Sequence, residues 1–234
     1  MLLRHEDIFK LSANDFYQNG NIKLNAVLNL FQTVASDHAE KIGLGFKPML
    51  EKDIIWVLIK IRLDIVGEIP FSSTVKVVTY PHPKGRLGYV RDYLIYNEKD
   101  ELVVKGSSLW CLVSFSSRKL LRPTIDYEGQ FVDNKVYLDD FARLTPVMAQ
   151  NHEYVCHILQ THIDRNNHTN NIKYADFIID GLTKIPNVKS FSIQFNNETT
   201  LGDEIKIGYE FKDNVINATA TSCDKNSFNA QITT

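Results

Sequence analysis

Apolar residues between positions 24 and 42 recur every three or four places: Leu24, Val27, Leu28, Phe31, Val34, Ala35, His38 and Ile42. That spacing lays one apolar stripe along an α-helix. Gly43 and Gly45 follow and predict its end. A strand is predicted before this helix. After it come runs rich in Ile, Val, Tyr and Trp, at 54–66, 74–80, 89–97 and 101–115, which read as β-strands. Pro, Gly and charged turns separate them. Residues from about 123 to 150 turn acidic and turn-rich and read as a crossing segment. The pattern then restarts, with a strand at 153–162, a helix at about 171–182, and strands at 190–196, 204–212, 215–221 and 228–233.

The restart is visible in the letters. Asn21-Ile22-Lys23-Leu24 opens the first helix and Asn171-Ile172-Lys173-Tyr174 the second, with Asp15 and Asp164 at similar distances before them. The same element order twice supports an internal duplication. One long helix wrapped by an antiparallel sheet, used twice, is an α+β arrangement. The expected division is 1–123, a linker at 124–149, and 150–234.

Composition narrows the class. An apolar fraction of 44% suits a protein with a real core, and the 23% that is charged suits a soluble one. No apolar run is long enough to span a membrane, since 54–59 stops at Lys60. The N-terminus shows no signal-peptide core, so cytoplasmic residence is expected. A formal charge of −2 does not favour bulk nucleic-acid binding. Cys111, Cys156 and Cys223 are odd in number and far apart, which argues against a disulfide scaffold and a structural metal. All three lie in apolar, strand-like settings that suggest buried, inert thiols.

The candidate chemistry lies in the second half. Asp164, Asn166 and His168 alternate just before a helix, and alternation puts side chains on one side of an extended segment. A carboxylate, an amide and an imidazole together can orient, donate to and move protons for an acyl-transfer site. Singly, each is more often a turn, loop or surface residue. The first half supplies a control: the matching stretch from Asp15 to Gly20 lacks the histidine, which implies one active site per chain. Glu198 closes a strand about thirty residues on, from where it can approach the helix mouth and act as a general base on water. An acyl chain would need a dry channel, for which Val27, Leu28, Phe31, Val34, Trp56 and Leu58 are candidates; the alternative is that they simply form core.

These stretches resemble the acyl-acyl carrier protein thioesterases of plants and bacteria. The resemblance rests on residues 164–174, on Asn197-Glu198-Thr199, and in the first half on Ile55-Trp56-Val57, Arg91-Asp92-Tyr93-Leu94, Ser107-Ser108-Leu109-Trp110 and 117–123. It implies two tandem hotdog domains, no cofactor, and hydrolysis of fatty acyl thioesters on acyl carrier protein. It also implies that Asp164, Asn166, His168 and Glu198 are catalytic. Many plant members carry a cysteine directly after that glutamate; here Thr199 stands there. The implied carrier is acidic and needs a basic patch, for which Lys84, Arg86, Arg91, Arg118, Lys119 and Arg122 are candidates. Rival readings are a coenzyme A thioesterase of the same architecture and a non-catalytic acyl-binding module. A hotdog dehydratase fits less well, because the residue order differs from its His/Asp or His/Glu pair. Monomer and homodimer both remain open.

Overall fold

The computed structural model describes residues 2–147 and 152–234. Its strands are β1 His5–Lys10, β2 Ile54–Ile65, β3 Thr74–Pro81, β4 Tyr89–Tyr96, β5 Leu102–Ser114, β6 Leu120–Leu121, β7 His152–His157, β8 Ser190–Phe195, β9 Glu204–Lys212, β10 Val215–Ser222 and β11 Lys225–Thr233. Its helices are α1 Leu24–Lys41, α2 Phe46–Leu50 and α3 Lys173–Asp180. The strands form one antiparallel sheet in the order β1-β3-β4-β5-β2-β8-β11-β10-β9-β7, with β6 added beside β5. That order reads the same from both ends if each strand is exchanged for its counterpart, so a pseudo-twofold passes through the β2–β8 seam. Lys60 to Asp64 face Gln194 to Ser190 across it.

Strand alternation decides which face meets the helices. Ile61 and Leu63 turn inward and are buried, while Lys60, Arg62 and Asp64 turn outward. The predicted stripe of α1 from Leu24 to His38 is the buried face of that helix. Phe31 stacks on Tyr93 with ring centroids 4.3 Å apart. This closeness needs Gly106, because a β-carbon there would collide with the Phe31 ring. Gly43 ends α1 in the left-handed region (φ 72°) while Leu44 N–H returns to Ala39 O at 2.8 Å.

The second half departs from the sequence reading in two places. The strand expected at 153–162 stops at His157 and is followed by a 3-10 turn, Gln160–His162. The second helix is not long: α3 has 8 residues against 18 in α1. Its end is capped from the sheet side, where Tyr209 O–H donates to Ile178 O at 2.8 Å and His152 Nε2 lies 2.8 Å from Gly181 O.

The repeat is real in space but its letters mislead. Asp164 N–H bonds to His168 O as Tyr17 N–H bonds to Asn21 O, and the bridge Ile163–Thr169 matches Phe16–Ile22. Asn21 therefore stands opposite His168, and Tyr17, not Asp15, opposite Asp164. The shared Asn-Ile-Lys is three residues out of register.

After β6 the chain runs to 147 with neither helix nor strand, apart from one bridge between Gln130 and Leu2. It straps the outer face of the sheet. Val136 N–H reaches Asp92 on β4, Arg62 on β2 pairs with Asp139 at 2.9 Å and lies 3.9 Å from the Tyr137 ring, and Val147 N–H reaches Thr219 on β10. The outward polar residues of β2 are thus the strap's anchors. The expected boundary at 149/150 lies outside the described residues.

Candidate active site

Residues 162–171 form a tight turn rather than the extended segment expected. Asn167 takes a positive φ of 63° at its tip. The Asp164 carboxylate closes it, accepting Asn166 N–H at 2.7 Å and, more loosely, His168 N–H at 3.4 Å. Asp164 therefore orients the backbone of the turn and, at 3.5 Å, the Asn166 amide. It makes no hydrogen bond to the imidazole ring among the described residues. Asn166 Oδ1 is buried and left without a donor.

The turn is pinned to the chain after β8 by three hydroxyls. Thr199 Oγ1 lies 2.7 Å from Thr169 Oγ1 and 2.8 Å from Tyr174 O–H, and Thr199 O accepts Thr169 N–H at 2.8 Å. Thr199 is 1% exposed. The position after the glutamate is thus a structural bolt, with no free hydroxyl to attack anything. One residue earlier, Glu198 Oε2 sits 3.0 Å from His168 Nε2. The structure brings Asp164, Asn166, His168 and Glu198 to one cavity of about 710 Å³, a volume that suits a small organic ligand.

That cavity runs from the turn along the last turns of α1, α2 and the start of β2. Trp56 and Leu58 line it, as expected. Val27, Leu28, Phe31 and Val34 do not: they are 0–5% exposed and pack in the core, because they lie on the face of α1 that is turned into it. The α1 residues that do line it, among them Gln32, Ala35, Ser36 and Ala39, begin one residue after Phe31, and three of those four are small. Met49, Tyr89, Trp110 and Tyr127 add an apolar and aromatic wall that the sequence reading missed. Burial pushes the Tyr127 phenol up to about 12.

The basic candidates scatter. Arg91 is buried, its guanidinium 3.0 Å from His38 Nδ1 and 3.2 Å from Thr79 Oγ1, so it cannot dock a carrier. Lys84 is exposed but paired with Asp126 at 2.7 Å. Arg86, Lys119 and Arg122 are exposed. Arg118 is turned to the site itself, 2.6 Å from Glu198 Oε2 and 3.1 Å from His168 Nε2. Nothing local in the sequence marks that contact, which closes a separation of 80 residues. Of the cysteines, Cys111 is buried and Cys156 half-buried, with burial pushing the Cys156 thiol up to about 11; Cys223 is exposed, contrary to expectation. One group of possible metal ligands, His5, Asp7 and Asp37, occurs among the described residues, with Lys41 Nζ 3.2 Å from His5. An ammonium at that distance opposes a cation.

Residues 3–130 match the model of the acyl-ACP thioesterase N-terminal domain, and 146–233 that of the C-terminal domain. The chain is 24% identical over 95% of its length to the palmitoyl-acyl carrier protein thioesterase of Gossypium hirsutum, and 27% identical over 82% to the dodecanoyl-[acyl-carrier-protein] hydrolase of Cinnamomum camphora. It covers 56% of each, so the chain spans about half the length of the curated relatives it matches. In fold it is similar to an acyl-ACP thioesterase from Bacteroides thetaiotaomicron, with a TM-score of 0.88 at 17% identity, covering 98% of this chain and 97% of that one. It is also similar to the 12:0-ACP thioesterase from Umbellularia californica, with a TM-score of 0.85 at 18% identity, covering 99% and 96%. The α+β sheet described above is therefore a tandem hotdog, and the chain belongs to the acyl-ACP thioesterase family.

Proposed function

We propose that this chain hydrolyses the thioester of fatty acyl-acyl carrier protein and releases the free fatty acid. The observation that carries the reading is the contact of Glu198 with His168 at one end of an apolar cavity of about 710 Å³. Glu198 takes a proton from water as the water oxygen bonds to the thioester carbon. His168 and Asn166 face the same space, one to donate to the developing oxyanion and the other to hold the water; Asn166 Oδ1, a buried acceptor without a donor, suits the second task. The tetrahedral intermediate then collapses, the carbon–sulfur bond breaks, and the thiolate leaves to take up a proton. Asp164 acts through the turn it closes. In this reading the half from 1 to 123 supplies most of the acyl pocket, 124–149 links, and 150–234 supplies the catalytic side chains. Lys119 and Arg122, just beyond Arg118, are the preferred docking residues for an acidic carrier, with Arg86 in support.

The test is release of free acid from acyl carrier protein thioesters of C8 to C18 chains by the wild type, Glu198→Ala and His168→Ala. Wild-type turnover that falls by about 10²–10³ or more in both folded variants is the expected result. Turnover on coenzyme A esters alone would favour the related thioesterase, and tight acyl binding without turnover the binding module.

A further inference from the structure

Arg118 belongs to the N-terminal half, yet its side-chain partners among the described residues, Glu198 and His168, lie in the C-terminal half. Its placement is built, not incidental. Asp53 sits just before β2 at a positive φ of 60°, and its carboxylate accepts Ser114 O–H at 2.7 Å, Ser116 N–H at 2.8 Å and Ser116 O–H at 2.8 Å. Ser117 O–H donates to Ser114 Oγ at 2.8 Å, and Arg118 N–H closes the turn on Ser114 O at 2.9 Å. Arg118 itself takes a φ of 57°. A left-handed arginine is costly unless its surroundings hold it there. The hydroxyls of Ser114 and Ser116 hold the Asp53 carboxyl below its usual range, as they must if they bind its charged form.

The guanidinium grips only one oxygen of the base. Oε2 of Glu198 accepts from Arg118 and lies 3.0 Å from His168 Nε2, whereas Oε1 has no hydrogen bond among the described residues and can accept from water. The side-chain contacts of Arg118 are with Glu198 and His168, so it reaches the reaction through those two side chains. We propose that Arg118 is a positioning residue for this thioester hydrolysis, holding Glu198 and His168 together, and that Asp53 fixes the turn that presents it; the proposal rests on the hydrolase reading above.

The experiment compares Arg118→Ala, Arg118→Lys and Asp53→Asn on an acyl carrier protein thioester and on the same acyl group as its N-acetylcysteamine thioester, which has no carrier to dock. Arg118→Ala is expected to lower kcat by about 10-fold to 10²-fold on both substrates, with KM for the carrier thioester unchanged. Arg118→Lys should recover part of the loss, and Asp53→Asn should show the same pattern more weakly. A change confined to KM for the carrier thioester would make Arg118 a docking residue and overturn the proposal. So would wild-type rates on both substrates. Nuclear magnetic resonance of the His168 ring adds a readout independent of turnover: its signals should move in Arg118→Ala, and unmoved signals would overturn the contact. A wild type inert on both thioesters, with ring signals that do move, would sink the hydrolase reading while leaving the clamp in place.

Discussion

The two halves make the same turn from different side chains, and the second of them opens onto the cavity. In the second half the turn carries Asp164, Asn166 and His168; in the first the same backbone bonds carry Tyr17, Asn19 and Asn21. The glutamate is common to both. Ser73 N–H bonds to Pro70 O as Asp203 N–H bonds to Thr200 O, which puts Glu68 in the place of Glu198. Glu68 is exposed. The difference lies in what faces each turn. The long α1 carries its last turns past residue 164 and lines a cavity there. The short α3 stops at Asp180, and the chain beyond it comes back on the first turn, with Asn187 Oδ1 3.5 Å from Asn21 Nδ2. A catalytic glutamate needs a partner and a space as well as a position.

The comparison can be broken by grafting. Asn21→His gives the first turn the Asn and His of the second, with Glu68 already present. In a Glu198→Ala background it should restore no turnover, leaving activity about 10²–10³ below wild type; fatty acid release raised above that of Glu198→Ala alone would show that the helix lengths are not what decides.

A smaller effect separates the two pins. Thr169 and Thr199 in the second half correspond to Ile22 and Ile69 in the first, hydroxyls on one side and apolar contact on the other. Thr199→Val alone should cost about 1–3 kcal/mol, because Tyr174 O–H and Thr169 O–H lose their shared partner in a buried place. Combining it with Thr169→Val and Tyr174→Phe should recover much of that in urea unfolding. A triple variant no more stable than the single one would mean that the second turn depends on its hydroxyls for more than pairing.

The smallest effect concerns the part of α1 that has no counterpart in α3. His38 lies there, and burial, with the positive charges of Arg91 and Lys41 and the nearby His5, pushes its imidazole from 6.5 down to about 3. His5 in turn is paired with Asp7 at 2.6 Å. The folded value is depressed, so the unfolded chain takes up the proton first as pH falls. Stability should therefore decline from about pH 6.5 towards pH 3. His38→Gln keeps an acceptor for Arg91 and should flatten that decline in unfolding free energies between pH 7 and pH 5. An unchanged slope would mean that His38 is protonated in the fold.

Periodicity made the frame legible. The stripe on α1, the strand runs and the glycine stop all reflect local spacing, which one sequence displays. The meeting of Asp164, Asn166, His168 and Glu198 at one cavity was legible for a different reason, through resemblance to a family whose motif lies within eleven consecutive residues and one strand end. The rest depended on distant contacts. Whether Phe31 meets a substrate or Tyr93 turns on Gly106, far along the chain, and the length of α3 turns on Tyr209 and His152. Arg118 looked like its basic neighbours because a charge run does not say which member meets a carboxylate. The repeat was found from letters three positions out of register, since hydrogen bonds, not identities, are what the two turns preserved.

The strap over the outer face also changes how the halves meet. Two separate copies would find each other at a rate set by their concentration, whereas halves joined by a tether face each other at an effective concentration of order millimolar. The β2–β8 seam can then form in dilute solution, and its unfolding midpoint should not vary with protein concentration if the chain acts alone. The tether also frees each half from symmetry. A substitution in one turn is not forced on the other, which is how a chain can keep His168 in one place and Asn21 in its mirror position.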